Sequence, residues 1–96
     1  MFSINPLDLK TLLEAKADVD KELLRLAIMA ELDAVNLYEQ IAIVTKNEDL
    51  RKVMLSVARE EKTHVGEFQA MLLRMDDEQV RELEGGASEV AEITGA

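Results

Sequence analysis

The sequence has no cysteine and no tryptophan, and only one proline, one histidine, four glycines and three aromatic residues among its 96 positions. Without cysteine there is no disulfide framework, zinc ribbon or iron–sulfur cluster, and the redox character of the compartment is left open. So few turn formers argue against a chain of many short strands and for one that is mostly helix. So few large side chains make a compact core hard to fill in a domain of this size. Basic residues are also short, 11 against 20 acidic ones, for a formal charge of −9. That balance works against nucleic acid or an anionic membrane as partner and favours cations, of which metal ions are the simplest. No apolar run approaches membrane length, and Met1-Phe2-Ser3-Ile4-Asn5-Pro6 has neither the basic nor the apolar segment of a leader. The expectation is a soluble cytoplasmic protein, one domain over residues 1–96.

What is present is helical periodicity. Asn5-Pro6 is a helix-start pair, and Leu9, Leu12, Leu13 and Lys16 give a short helix one edge. Asp18-Val19-Asp20 is the next capping signal, and a first long helix is expected over about 20–44. Its stripe of Leu24, Ala27, Ile28, Glu31, Val35, Tyr38, Ile41 and Ala42 runs at spacings of three and four. Thr45-Lys46-Asn47-Glu48-Asp49 is the only polar break before a second long helix over about 48–75, with Asn47 as cap. A link this short makes the two helices antiparallel neighbours. After them, Asp76-Asp77-Glu78-Gln79 resembles a new start and Gly85-Gly86 a stop, so residues 76–96 are expected to form a short helix and a tail.

The second stripe runs Leu50, Met54, Val57, Glu61, His64, Phe68, Met71 or Leu72, and Met75. At its centre two apolar positions are taken by a carboxylate and an imidazole three residues apart, on one helix face. Glu31 interrupts the first stripe in the same way, and counting back from the turn puts it at the same height as Glu61 and His64. A buried, unpaired carboxylate costs roughly several kcal/mol, so this layer must neutralise, pair or bind a metal. A hydrogen-bonded or ion-paired cluster without metal satisfies the same pattern. Glu60 and Glu67 flank the motif as solvated helix charges, Glu67 being the better spare ligand, three residues after His64. Tyr38 reads as a core aromatic, and Met29, Met54, Met71 and Met75 as core packing in preference to soft-metal ligands.

One copy is not enough for either packing or chemistry. Two helices do not enclose a core, and Leu26, Met29, Leu32, Leu37, Leu55 and Val65 lie off the stripes. The carboxylate-bridged di-metal site of four-helix bundles takes a lone Glu from two helices and Glu-x-x-His from the other two. This chain holds half of that set. A two-fold axis between hairpins would supply four carboxylates and two imidazoles, which balance two divalent ions.

The pairing of Ala30-Glu31-Leu32-Asp33-Ala34-Val35-Asn36-Leu37-Tyr38 with Arg59-Glu60-Glu61-Lys62-Thr63-His64 resembles the encapsulated ferritin-like proteins. These are two-helix relatives of ferritin that are cargo of, or fused to, encapsulin shells. The resemblance implies an all-α fold in which hairpins dimerise into a ferritin-like four-helix bundle, with dimers assembling into a decamer inside an encapsulin nanocompartment. It further implies a ferroxidase that oxidises Fe(II) with dioxygen and feeds iron storage in the shell. Glu31, Glu61 and His64 would be the iron ligands, holding two iron ions per subunit pair, and Tyr38 the tyrosine beside the centre, its hydroxyl on a ligand carboxylate. Asp33 matches one acidic position of the family's metal-uptake site, where Ala30 stands in place of a second acid. The alternative is a metal-stapled structural oligomer without redox turnover. A rubrerythrin-like peroxidase would call for a cysteine-rich rubredoxin module to deliver electrons.

Overall fold

The computed structural model describes Lys10 and residues 19–96, and the short helix expected after Asn5-Pro6 falls outside the described stretch apart from Lys10. All regular structure among the described residues is helical. Helix α1 spans Val19–Val44, α2 spans Glu48–Met75 and α3 spans Asp77–Thr94. In each the first turn carries acids, Asp20 and Glu22 in α1, Glu48 and Asp49 in α2, Asp77 and Glu78 in α3, at the favourable end of the helix dipole.

Helices α1 and α2 form the hairpin, packed along their length. Its turn is closed by side chains. Asn47 caps α2, its Oδ1 accepting from the Leu50 N–H at 3.0 Å. Arg51 reaches back from the first turn of α2, donating from Nε to the Ala42 carbonyl at 2.8 Å and from Nη2 to the Thr45 carbonyl at 2.7 Å. The Ala42 carbonyl is one that the C-terminal end of α1 leaves without an intrahelical partner, and Thr45 is the residue just past that end. Arg51 also pairs with Glu48.

The residues removed from solvent are few and small. Ala58 and Ala42 are the most buried, followed by Leu72 and Val35. Alanines at a helix crossing let the backbones approach closely. Leu72, not Met71, turns inward at the end of the second stripe, while Leu50, Met71 and Met75, expected in that stripe, remain exposed at 39%, 41% and 39%. The stripe is wider than one neighbouring helix can cover. Met29, Leu32 and Leu55 are exposed as well, and Leu26, Leu37 and Val65 half-buried.

The C-terminal region departs from expectation. Asp76 caps α3, Oδ1 accepting from the Gln79 N–H at 3.0 Å, but Gly85 and Gly86 lie inside an 18-residue helix and do not end it. A glycine stops a helix by taking a left-handed conformation. Gly95 does so, at φ 75°, its N–H donating to the Ala91 carbonyl at 2.9 Å. A second contact fixes where α3 leaves the hairpin: Arg25 Nη2 of α1 donates to Asp76 Oδ2 at 3.0 Å. No helix among the described residues is long and apolar enough to cross a membrane.

Candidate metal centre

The layer at mid-hairpin is built by helical phase. Glu61 and His64, one turn apart on α2, face α1 at the height of Glu31. His64 Nδ1 lies 3.4 Å from Glu61 Oε2 and 3.6 Å from Glu31 Oε2. One ligand atom from each of the three residues lies within 4.8 Å of the other two, and theirs is the metal-capable cluster found among the described residues. The carboxylates are the more sheltered members, their side chains 20% and 18% exposed against 42% for His64. With a proton on Nδ1 the ring donates to Glu61; without it, Nδ1 aims a lone pair into the same space.

Glu31 Oε2 is fully buried and has no hydrogen-bond donor. A buried carboxylate oxygen without a donor is costly, and a cation against it removes the cost. The spacing suits one. Oxygen and nitrogen ligands about 2.1 Å from an ion stand roughly 3 to 4.2 Å apart. The donor set, two hard carboxylates and one imidazole, fits iron or manganese in the divalent state, with zinc and copper as tight competitors. A closed site of three residues leaves such an ion short of ligands.

The other residues marked in the sequence are placed differently. Tyr38 is half-buried, and its hydroxyl has no hydrogen-bond partner among the described residues. It stands two turns, ~10 Å, along α1 from Glu31. Asp33 is half-buried with Oδ2 shielded from solvent and lacking a donor. Glu60 and Glu67 are exposed and outside the cluster. Lys62, between Glu61 and His64 in sequence, points away from them to Glu39 Oε2 at 2.9 Å. The contact that the sequence does not disclose is Arg25 with Asp76, since no local pattern signals a pair 51 residues apart.

Comparison with known proteins bears on the family and the fold. A family model described as Rubrerythrin matches residues 22–94. The chain is 57% identical over 99 residues to a ferritin-like-encapsulin shell fusion protein of Pyrococcus furiosus, covering 99% of this chain and 28% of that protein. It is 43% identical over 56 residues to an encapsulin nanocompartment cargo protein of Myxococcus xanthus, covering 58% of this chain and 43% of that one. The chain thus spans less than half the length of either relative. The crystal structure of an encapsulated ferritin domain from Pyrococcus furiosus superposes with a TM-score of 0.79 at 51% identity, covering 100% of this chain and 98% of that one. The family match runs through both long helices and the whole of α3, and the chain belongs to the rubrerythrin family as a ferritin-like domain of the encapsulated kind.

Proposed function

We propose that this chain is a ferroxidase, oxidising Fe(II) to Fe(III) with dioxygen at a two-iron site completed by a second copy. The observation that carries the proposal is the buried Glu31 oxygen without a donor, facing Glu61 and His64 at metal-ligand spacing. Two hairpins related by a two-fold axis would contribute Glu31, Glu61 and His64 twice. That gives two substrate ions four carboxylates and two imidazoles, and covers the apolar faces each hairpin leaves open. Anionic oxygen donors favour the higher charge of the ferric product, so the carboxylates supply driving force as well as binding. The two Fe(II) ions give up two electrons in all, and one dioxygen with two protons from water accepts them to become hydrogen peroxide.

The ferric product would pass to a mineral held elsewhere. The names of the two curated relatives support an encapsulin shell as that container and as this chain's location.

The test is to mix anaerobic apoprotein with Fe(II), admit air and follow ferric absorbance. Acceleration over an iron-only blank is expected, falling at least about 10-fold in Glu31→Ala and in His64→Ala. No acceleration overturns the proposal; retained metal and oligomers without oxidation would mark the ion as a structural staple. Metal-free Glu31→Ala should unfold no more easily than the parent, since it removes mutually repelling carboxylates.

A further inference from the structure

Beside the metal-capable layer stands an ion pair between the two long helices that stability does not account for. Lys62 Nζ of α2 meets Glu39 Oε2 of α1 at 2.9 Å, the two side chains being 61% and 41% exposed. A pair this open to solvent adds little to stability. Its place in the fold is more informative. Glu39 follows buried Val35 by four residues and precedes buried Ala42 by three, and Lys62 follows buried Ala58 by four. Both therefore stand at the border of the seam between α1 and α2. Lys62 is also the residue after Glu61 and two before His64.

Basic side chains are otherwise scarce in this part of the molecule. The chain has no lysine or arginine between Arg25 and Lys46, and only Arg59 and Lys62 between Lys52 and Arg74. Arg59, two residues before Glu61, is exposed and lies about 200° round α2 from it. Lys62 is the cation of this chain best placed to compete for the metal layer, with three donors on a flexible four-carbon stem. The layer has a use for a donor, because Glu31 Oε2 is buried without one and a hydrogen bond from an ammonium would remove that cost. Tethered one residue from Glu61, the ammonium would act at an effective concentration of about millimolar or more. It is nonetheless held on Glu39, and the sheltered oxygen stays without a donor.

We infer that Glu39 is a positioning residue for the metal centre: it holds the Lys62 ammonium at the edge of the seam, so that Glu31 and Glu61 meet a divalent cation and not a lysine of their own chain. In this role Glu39 does not touch the ion; it acts through Lys62. The inference rests on the reading of Glu31, Glu61 and His64 as metal ligands and does not require the ion to be oxidised.

The test is Mn(II) binding to the full chain, followed by loss of the free-ion paramagnetic resonance signal at fixed protein concentration. Glu39→Gln should bind about 10-fold more weakly than the parent. Lys62→Gln, which breaks the same ion pair, should bind as tightly as the parent or more tightly, and Glu39→Gln/Lys62→Gln should return to within about 3-fold of the parent. In a crystal structure of metal-free Glu39→Gln, Lys62 Nζ should lie within hydrogen-bond distance of the Glu31 or Glu61 carboxylate. Parent-like binding by Glu39→Gln overturns the inference. Weakened binding by Lys62→Gln as well would make the pair structural and overturns it too. So does a loss in Glu39→Gln that disappears at about 1 M salt, where the field of an exposed charge is screened and a sheltered contact much less so. A parent chain that binds no Mn(II) overturns the metal-ligand reading itself, and this inference with it.

Discussion

The hairpin and α3 are both amphipathic helical structure, yet they are held by different things. In the hairpin, side chains close the turn, alanines bring two long helices into contact, and a polar layer sits at mid-height. In α3 the tertiary contacts among the described residues are at one end, where Asp76 caps the helix and pairs with Arg25 and Val80 is half-buried. Periodicity alone therefore says that a helix has an apolar face, while tertiary contact decides whether that face stabilises the chain it belongs to. The same kind of substitution should then have different consequences in the two regions.

The largest difference is expected for added volume. Ala58 is 1% exposed at the crossing of α1 and α2, and Ala58→Leu should force the helices apart and lower stability by about 1–3 kcal/mol or more. Val90→Leu, on the open stripe of α3, should change the stability of the dilute, unassociated chain by less than about 0.5 kcal/mol. Urea unfolding followed by circular dichroism measures both. Similar losses in the two variants would show that α3 is packed in the single chain, and the contrast would fail.

A smaller effect is expected at the turn. Arg51→Ala removes two charge-assisted hydrogen bonds to carbonyls at the end of α1, at about 1–2 kcal/mol given the partial exposure of the side chain. Exchange at Thr45 and at the first amides of α2 should quicken while that at Gln79 and Val80 stays unchanged. If both ends loosen together, the hairpin and α3 are one cooperative unit and not two.

The same division separates what is legible in the sequence from what is not. Both long helices are readable because their apolar positions recur at three and four, and Glu31, Glu61 and His64 stand out as ionisable residues in register on two such stripes. Leu50 and Met75 belong to a stripe yet stay exposed, because a stripe implies burial only if something lies against all of it, and a single neighbouring helix does not. Gly85-Gly86 has the composition of a stop without being one, because composition does not give φ, and the left-handed cap belongs to Gly95. The place where α3 departs depends on Arg25 and Asp76, which no window of sequence brings together. Local physics sets the elements, and long-range contacts set their junction.

That junction gives the smallest and most specific expected effect. Asp76 is held below the ordinary carboxylate range chiefly by the hydrogen bond from the Gln79 N–H; burial opposes this, and Lys21 and Arg25 assist it. A carboxylate whose folded pKa lies below its unfolded value contributes stability that is fully present above the unfolded value of 3.8 and is lost as pH falls through the folded one. Acid should therefore loosen the start of α3 only below about pH 4. Asp76→Asn separates the two roles of the side chain, because asparagine still caps a helix but no longer attracts Arg25 and Lys21. In this variant the Gln79 and Val80 amides should exchange slightly faster at neutral pH, and the acid-dependent step at those amides should disappear. The exchange of α2 should not change. An acid step that persists in Asp76→Asn would assign the titration to another carboxylate and leave the cap alone as what fixes the departure of α3.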